Sequence, residues 1–156
     1  MKSVIRFTAS GLYLGYSPVA SGTVASLLGV LIYLQLREVP VVFIFVVVHL
    51  FILGFLVCGK AEEVFGKKDS SKIVIDEIAS MCLVYLFIKP TWFMVIAGFF
   101  LFRIFDIIKP WPARRVEELS GSAGVMLDDI VAALYTIIVL FLIWHFFPDL
   151  FQGKLL

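Results

Sequence analysis

The chain has 156 residues, of which 62% are hydrophobic and only 16% charged, with a net charge of +1. Soluble domains usually carry about a quarter charged residues, so this composition points to a protein that lives against lipid. The near-zero net charge argues against a nucleic-acid partner, because no basic excess exists to displace counterions from phosphates.

Read in chain order, the sequence suits a single domain over residues 1–156. Lys2 and Arg6 open it, but no unbroken apolar stretch with a small-residue cleavage site follows, so no cleaved leader is expected. Five apolar segments come next, at 24–36, 41–57, 78–88, 92–102 and 130–147. Arg37-Glu38 ends the first, and the polar run from Cys58 to Glu63 follows the second. Lys89-Pro90-Thr91 reads as a tight turn between the third and fourth, and Pro148 closes the fifth. Cys58 and Cys82 both fall in or beside apolar runs, with neither a CxxC pair nor a disulfide framework around them.

The expected fold is all-α, a polytopic membrane bundle of about four to five hydrophobic helices. A span needs about 20 apolar residues, which only the second and fifth segments approach. The third and fourth would reach only about 16 Å at 1.5 Å per residue. They either borrow flanking residues such as 73–77 and 103–105, cross a locally thinned bilayer, or form a re-entrant hairpin covered by protein.

Charge placement gives an orientation. Basic residues cluster before the first segment (Lys2, Arg6), after the second (Lys60, Lys67, Lys68, Lys72) and after the fourth (Arg103, Lys109, Arg114, Arg115). The connections holding Arg37 and Lys89 carry one basic residue each. The positive-inside rule then puts the N-terminus, residues 59–77 and residues 103–129 in the cytoplasm, and the C-terminus outside.

Ten of the twelve acidic residues fall within 59–77 and 103–129. Asp76-Glu77, Asp106 and Asp128-Asp129 stand where polar loop meets apolar helix. Two crossings separate Thr23 from Asp76 and two more separate Glu77 from Asp106, so these groups and Ser21-Gly22-Thr23 share one membrane face. Convergent carboxylates of this kind suit a hard cation such as Mg²⁺, which offsets phosphate charge and acidifies water. Taken singly, each acidic pair reads as well as a helix cap or a partner of the helix dipole. Arg103, Asp106 and Lys109 are spaced i, i+3, i+6 and are expected to form one stripe. Snorkelling explains either cation alone, but a carboxylate between Phe105 and Ile107-Ile108 is costly near lipid. Ser21-Gly22-Thr23 at a helix start is either an anion site or an ordinary cap. Gly121-Ser122-Ala123-Gly124 is either a flexible turn or a backbone cradle.

His49 and His145 lie inside apolar segments, away from the acids, which disfavours phosphohistidine and His-based zinc chemistry. No phosphate-cradling cysteine loop and no GxxxxGK[ST] loop occurs. Two function classes remain. A metal-dependent phosphomonoesterase places acids at a membrane boundary, whereas a small cation or proton transporter places them near span midpoints. The middles of 41–57 and 130–147 hold no acid, which favours the enzyme.

The blocks Ser17-Pro18, Ser21-Gly22-Thr23 and Ser26, then Ile75-Asp76-Glu77, then Phe102-Arg103-Ile104-Phe105-Asp106-Ile107-Ile108-Lys109-Pro110-Trp111-Pro112, then Gly124-Val125-Met126-Leu127-Asp128-Asp129, resemble the phosphatidylglycerophosphatase A family over roughly residues 11–147. The resemblance implies a Mg²⁺-dependent hydrolysis of phosphatidylglycerophosphate, a membrane phospholipid, to phosphatidylglycerol at the bacterial inner membrane, with the site facing the cytoplasm. Carried onto this chain, it implies Asp106, Asp128 and Asp129 as catalytic acids and Asp76, Glu77, Asp106 and Asp129 as metal ligands. Arg103 and Lys109, with Ser21 and Thr23, would then meet the phosphate. Ala25, Ser80 and Ser122 stand where the family usually carries glycine. Direct attack by water and an aspartyl-phosphate intermediate both remain open, and the oligomeric state is not legible.

Overall fold

A computed structural model describes residues 1–88 and 91–148. Among the described residues every regular element is helical: α1 (Lys2–Ala9), a 3-10 turn (Leu14–Tyr16), α2 (Ser21–Leu36), α3 (Pro40–Phe65), α4 (Ile75–Leu86), α5 (Trp92–Ile108), α6 (Ala113–Glu117) and α7 (Ser122–Phe146). The all-α expectation therefore holds, and each of the five apolar segments is a helix. The turn expected at Lys89-Pro90 and the placement expected for the C-terminus fall outside the described residues.

Helix ends follow local chemistry. Pro40 opens α3 at a position whose N–H has no intrahelical partner, and Gly66 closes it with φ +70. The polar run 58–63 does not end that helix, contrary to its appearance in sequence. Gly54, Cys58 and Ala61 repeat on one buried face, against Ile5 and Ala9 of α1 and Val125 and Met126 of α7, while Lys60 and Glu63 point outward. The Thr91 hydroxyl caps α5 by accepting the Met94 N–H at 3.2 Å. Lys109 ends α5 in the left-handed region, and Pro110 cannot extend it.

The short helix α4 is the centre of the bundle, packed by α2, α3, α5 and α7. Its Met81, Cys82, Val84 and Tyr85 are buried among Tyr33, Phe43, Val95, Phe102, Ala133 and Leu140. Tyr33 and Tyr85 stack with centroids 4.6 Å apart, and the Tyr85 hydroxyl donates to the Val95 carbonyl at 2.8 Å. Gly29 lets α2 and α4 approach closely, since a Cβ there would lie 2.8 Å from Met81 Cβ. At 12 residues α4 is only about 18 Å long, and neighbouring helices cover it almost completely.

The outer helices present apolar faces. Phe45, Ile52 and Leu56 of α3, Ile96, Phe100 and Ile107 of α5, and Ile138 and Leu142 of α7 are all exposed. Helices α3 and α7, with 26 and 25 residues, are each long and apolar enough to cross a bilayer. The short α1, amphipathic through buried Ile5 and Ala9, had no counterpart among the apolar segments because its composition is mixed.

Packing around Gly29 gives a direct test. Gly29→Val should destabilise the purified protein by about 1–3 kcal/mol through overpacking against Met81. Gly66→Ala meets no atom within 4 Å and should cost only about 1–2 kcal/mol of left-handed strain. Thermal unfolding followed by near-ultraviolet circular dichroism separates the two: Gly66→Ala should keep the native aromatic spectrum, and Gly29→Val should perturb it.

Candidate active site

Acids from three helices meet at one end of the bundle. Asp76 and Glu77 occupy the first turn of α4, where unpaired backbone N–H groups favour negative charge. Asp106 lies in the last turn of α5. Asp128 and Asp129 sit about two turns inside α7, whose N-cap is Gly121, so neither aspartate caps that helix. All five carboxylates line one cavity of about 170 Å³, joined by Lys109 and by Asp69, Ser70 and Ser71 from the α3–α4 loop. The five acids expected on one face are thus adjacent in space.

Within the cavity the acids divide into two sets. Asp106 Oδ2 lies 2.8 Å from Arg103 Nη1, which is also 3.9 Å from Glu77 Oε1 and donates to Ser26 Oγ at 3.4 Å. Lys109 Nζ donates to Asp128 Oδ2 at 2.6 Å and lies 3.0 Å from Glu117 Oε1. The other Asp128 oxygen accepts the Asp129 N–H at 3.0 Å. Burial alone would lower the Lys109 pKa, but its hydrogen bond and attraction to Asp128, with Glu117 behind, outweigh burial and raise it above the ordinary lysine value. Lys109 is therefore a fixed cation at neutral pH.

In the second set Asp76 and Asp129 form no ion pair among the described residues, and Glu77 has only its longer contact with Arg103. Asp76, Glu77 and Asp129 each bring a carboxylate oxygen within 4.8 Å of the others. Asp76 Oδ1, Glu77 Oε2 and Asp129 Oδ2 are all buried with no hydrogen-bond partner. Buried anionic oxygens left in this way are expensive unless a cation joins them. Three hard oxygen donors at this spacing fit a divalent cation that prefers carboxylate ligands. Asp106, expected as a fourth ligand, faces the same cavity with one oxygen committed to Arg103.

Other expected residues take different places. Lys109 lies beyond the end of α5 with φ +48, so it leaves the Arg103–Asp106 stripe and turns to Asp128. Ser21 and Thr23 do not line the cavity. The Ser21 hydroxyl donates to the Ser71 carbonyl at 2.8 Å and so fastens the loop that forms the cavity wall. Gly22 matters more than either neighbour, because a Cβ there would strike Glu77 Oε1 and crowd both Arg103 terminal nitrogens. In the Gly121–Gly124 run, Gly121 is the N-cap of α7 and residues 122–124 form its first turn. Ser122 starts α7 and its hydroxyl accepts the Gly59 N–H at 2.7 Å, tying α7 to α3. Of the three positions where glycine was expected, Ala25 is fully buried and the Ser80 hydroxyl is buried without a partner.

Asp69, Ser70, Ser71 and Glu117 were not singled out from sequence. Lys67-Lys68-Asp69-Ser70-Ser71 reads as an ordinary solvated loop, and its one structural signature, φ +45 at Asp69, leaves no trace in composition.

No solved structure matches this chain. Residues 7–144 match the profile of the family described as phosphatidylglycerophosphatase A. A phosphatidylglycerophosphatase A from Haemophilus influenzae is 38% identical over 146 residues, covering 90% of this chain and 89% of its own. One from Escherichia coli is 35% identical over 152 residues, covering 95% and 88%. Neither relative bears a transporter's name, and the carboxylates gather at one end of the bundle away from the helix midpoints. This chain belongs to the phosphatidylglycerophosphatase A family.

Proposed function

We propose that the protein hydrolyses the terminal phosphate monoester of phosphatidylglycerophosphate, releasing phosphatidylglycerol and phosphate, with Mg²⁺ held by Asp76, Glu77 and Asp129. Family membership supports the phosphatase activity and the lipid substrate. Two observations support the metal: Asp76, Glu77 and Asp129 each bring a carboxylate oxygen within 4.8 Å of the others, and each holds a buried oxygen without a hydrogen-bond partner. When bound, the ion supplies Lewis-acid chemistry, offsetting phosphate charge and acidifying the attacking water.

The chain's own groups divide the remaining work. Asp128, held by Lys109 and by the Asp129 N–H, is kept in one orientation beside the metal trio. Lys109 lines the cavity and stays charged, so it meets phosphate oxygens while still holding Asp128. Arg103 fixes Asp106 and steadies Glu77, and Gly22 leaves the room that this arrangement needs. Asp106 keeps its second oxygen available to the metal or to the water.

The exposed apolar faces of α3, α5 and α7 support placement across a lipid bilayer. The short α4 is tolerated there because protein covers its backbone. Lys67, Lys68, Arg114 and Arg115 stand at the acidic end, which favours a cytoplasmic site at the bacterial inner membrane. A phosphate on a membrane-held glycerol reaches that boundary without leaving its leaflet.

Three tests follow from this reading. Chelation after dialysis should abolish phosphate release from phosphatidylglycerophosphate, and added Mg²⁺ should restore it; full turnover in excess chelator would remove the metal. Asp129→Asn and Asp106→Asn should each lower turnover at least about a hundredfold, roughly 2.7 kcal/mol of transition-state stabilisation. Glu118→Gln, exposed and outside the cavity, should leave it nearly unchanged. Equal loss in all three folded variants would detach the acidic cavity from catalysis. For orientation, Cys58 and Cys82 are first replaced. A cysteine at exposed Ser120 should then resist an impermeant thiol reagent in intact cells, while one at Glu38, at the opposite end, should react.

A further inference from the structure

Arg103 and Lys109 are both matched by carboxylates, which leaves the recognition of a multiply charged lipid head group incomplete. Phosphatidylglycerophosphate carries two phosphates, the terminal monoester and the phosphodiester that joins the head group to the diacylglycerol. The acidic cavity has room and ligands for the first. The second needs a cation outside the cavity, on the side where the acyl chains must leave.

Lys72 stands at the edge of the cavity. Ser70, Ser71 and Ile73 on either side of it line the cavity, whereas Lys72 itself turns outward and is exposed. Its ammonium lies 5.1 Å from the Tyr16 ring centroid and 5.9 Å from that of Phe65. Among the described residues it makes no ion pair. An aromatic face attracts a cation without cancelling its charge, so Lys72 is positioned and still electrostatically available.

This position is built by backbone contacts. A Cβ at Gly15 would collide with the Lys72 carbonyl, so the 3-10 turn sits directly against this residue. The Ser21 hydroxyl holds the preceding carbonyl, that of Ser71, at 2.8 Å. Beyond Lys72 the rings of Phe65, Tyr16, Tyr13 and Phe7 follow one another at centroid spacings of 6.3, 5.6 and 5.5 Å. Phe7, Tyr13 and Tyr16 are exposed, and Leu12 beside them is 61% exposed. The chain holds this strip outward through three successive positive-φ residues, Gly11, Leu12 and Tyr13. For the two that are not glycine this backbone is unfavourable, and it is held by Tyr13 N–H to Ser10 Oγ at 3.1 Å and Gly15 N–H to the Ser10 carbonyl at 2.9 Å. A monoester cavity, an uncompensated cation at its edge and an exposed aromatic strip beyond it match, in order, the terminal phosphate, the diester and the acyl chains of the lipid.

We infer that Lys72, seated on Tyr16 and Phe65 at the edge of the acidic cavity, is a binding subsite for the phosphodiester of the lipid substrate. The subsite rests on the phosphatase reading above and adds a second point of head-group recognition to it. It predicts that discrimination between lipids with and without a diester resides in Lys72, not in the metal trio.

The full-length protein in neutral detergent micelles provides the test. Phosphatidylglycerol has the diester and no monoester, and its binding is measured by titration calorimetry against diacylglycerol and inorganic phosphate as probes. Wild-type protein should bind phosphatidylglycerol more tightly than diacylglycerol, and Lys72→Met should lose about tenfold of that affinity while Lys72→Arg retains most of it. Inorganic phosphate binding should be the same in all three proteins. In kinetics, Lys72→Met should raise KM for phosphatidylglycerophosphate about tenfold with kcat nearly unchanged, and leave KM for phosphatidic acid, which lacks the diester, as it was. Unaltered phosphatidylglycerol binding by Lys72→Met, or no wild-type preference over diacylglycerol, overturns the subsite. An equal rise in KM for both lipids also overturns it, since Lys72 would then act as a general surface charge. Failure of the wild-type protein to hydrolyse phosphatidylglycerophosphate would instead overturn the phosphatase reading, and the binding measurement would still decide the subsite.

Discussion

Carboxylates buried side by side repel one another and resist leaving water, and the architecture of this protein is organised around that cost. Asp76, Glu77, Asp106, Asp128 and Asp129 are drawn from three helices into one small cavity. Two of the five are balanced within the chain, Asp106 by Arg103 and Asp128 by Lys109. The α4 N-terminus adds the positive end of a helix dipole beneath Asp76 and Glu77. Asp76, Glu77 and Asp129 each keep a buried oxygen without a hydrogen-bond partner, and the three residues bring carboxylate oxygens within 4.8 Å of one another.

Such a cavity demands rigid walls, and the bundle supplies them through close packing. Because α4 is both the carrier of Asp76-Glu77 and the centre of the core, displacing its apolar side chains would move the acids as well. Small residues set the spacing around it: Gly29 against Met81, Gly22 against Glu77 and Arg103, and Gly98 against Tyr85 and Leu140. Serines then lock neighbouring segments, Ser21 to the α3–α4 loop and Ser122 to α3. Ser21, expected near the phosphate, here fastens the loop beside the acids, and Ser122 fastens α7 to α3.

The placement of the site at one end of the bundle suits a reaction on a lipid head group. An acidic cavity next to exposed apolar helix faces brings polar chemistry within reach of a lipid head group. Near the cavity loop, the rings of Phe65, Tyr16, Tyr13 and Phe7 follow one another along the surface.

Much of this was legible without coordinates. The apolar segments at 24–36, 41–57, 78–88, 92–102 and 130–147 each mark a helix, because long apolar runs have few other ways to satisfy their backbone. The shared face of Asp76-Glu77, Asp106 and Asp128-Asp129 was expected from the alternation of apolar segments and polar connections, and one cavity holds all five. Segment boundaries were less legible: α3 runs through its polar end because burial there recurs at helical spacing on small residues, which composition hides. The division of the acids into balanced and unbalanced sets was not legible at all. It depends on Lys109 leaving the α5 stripe in a left-handed turn and on Gly22 admitting Glu77 and Arg103, and both are decided by contacts between segments far apart in the chain. Sequence alone determined which acids gather on one face; tertiary packing decided which of them keep an unpartnered oxygen, because pairing depends on distances that only the assembled helices define.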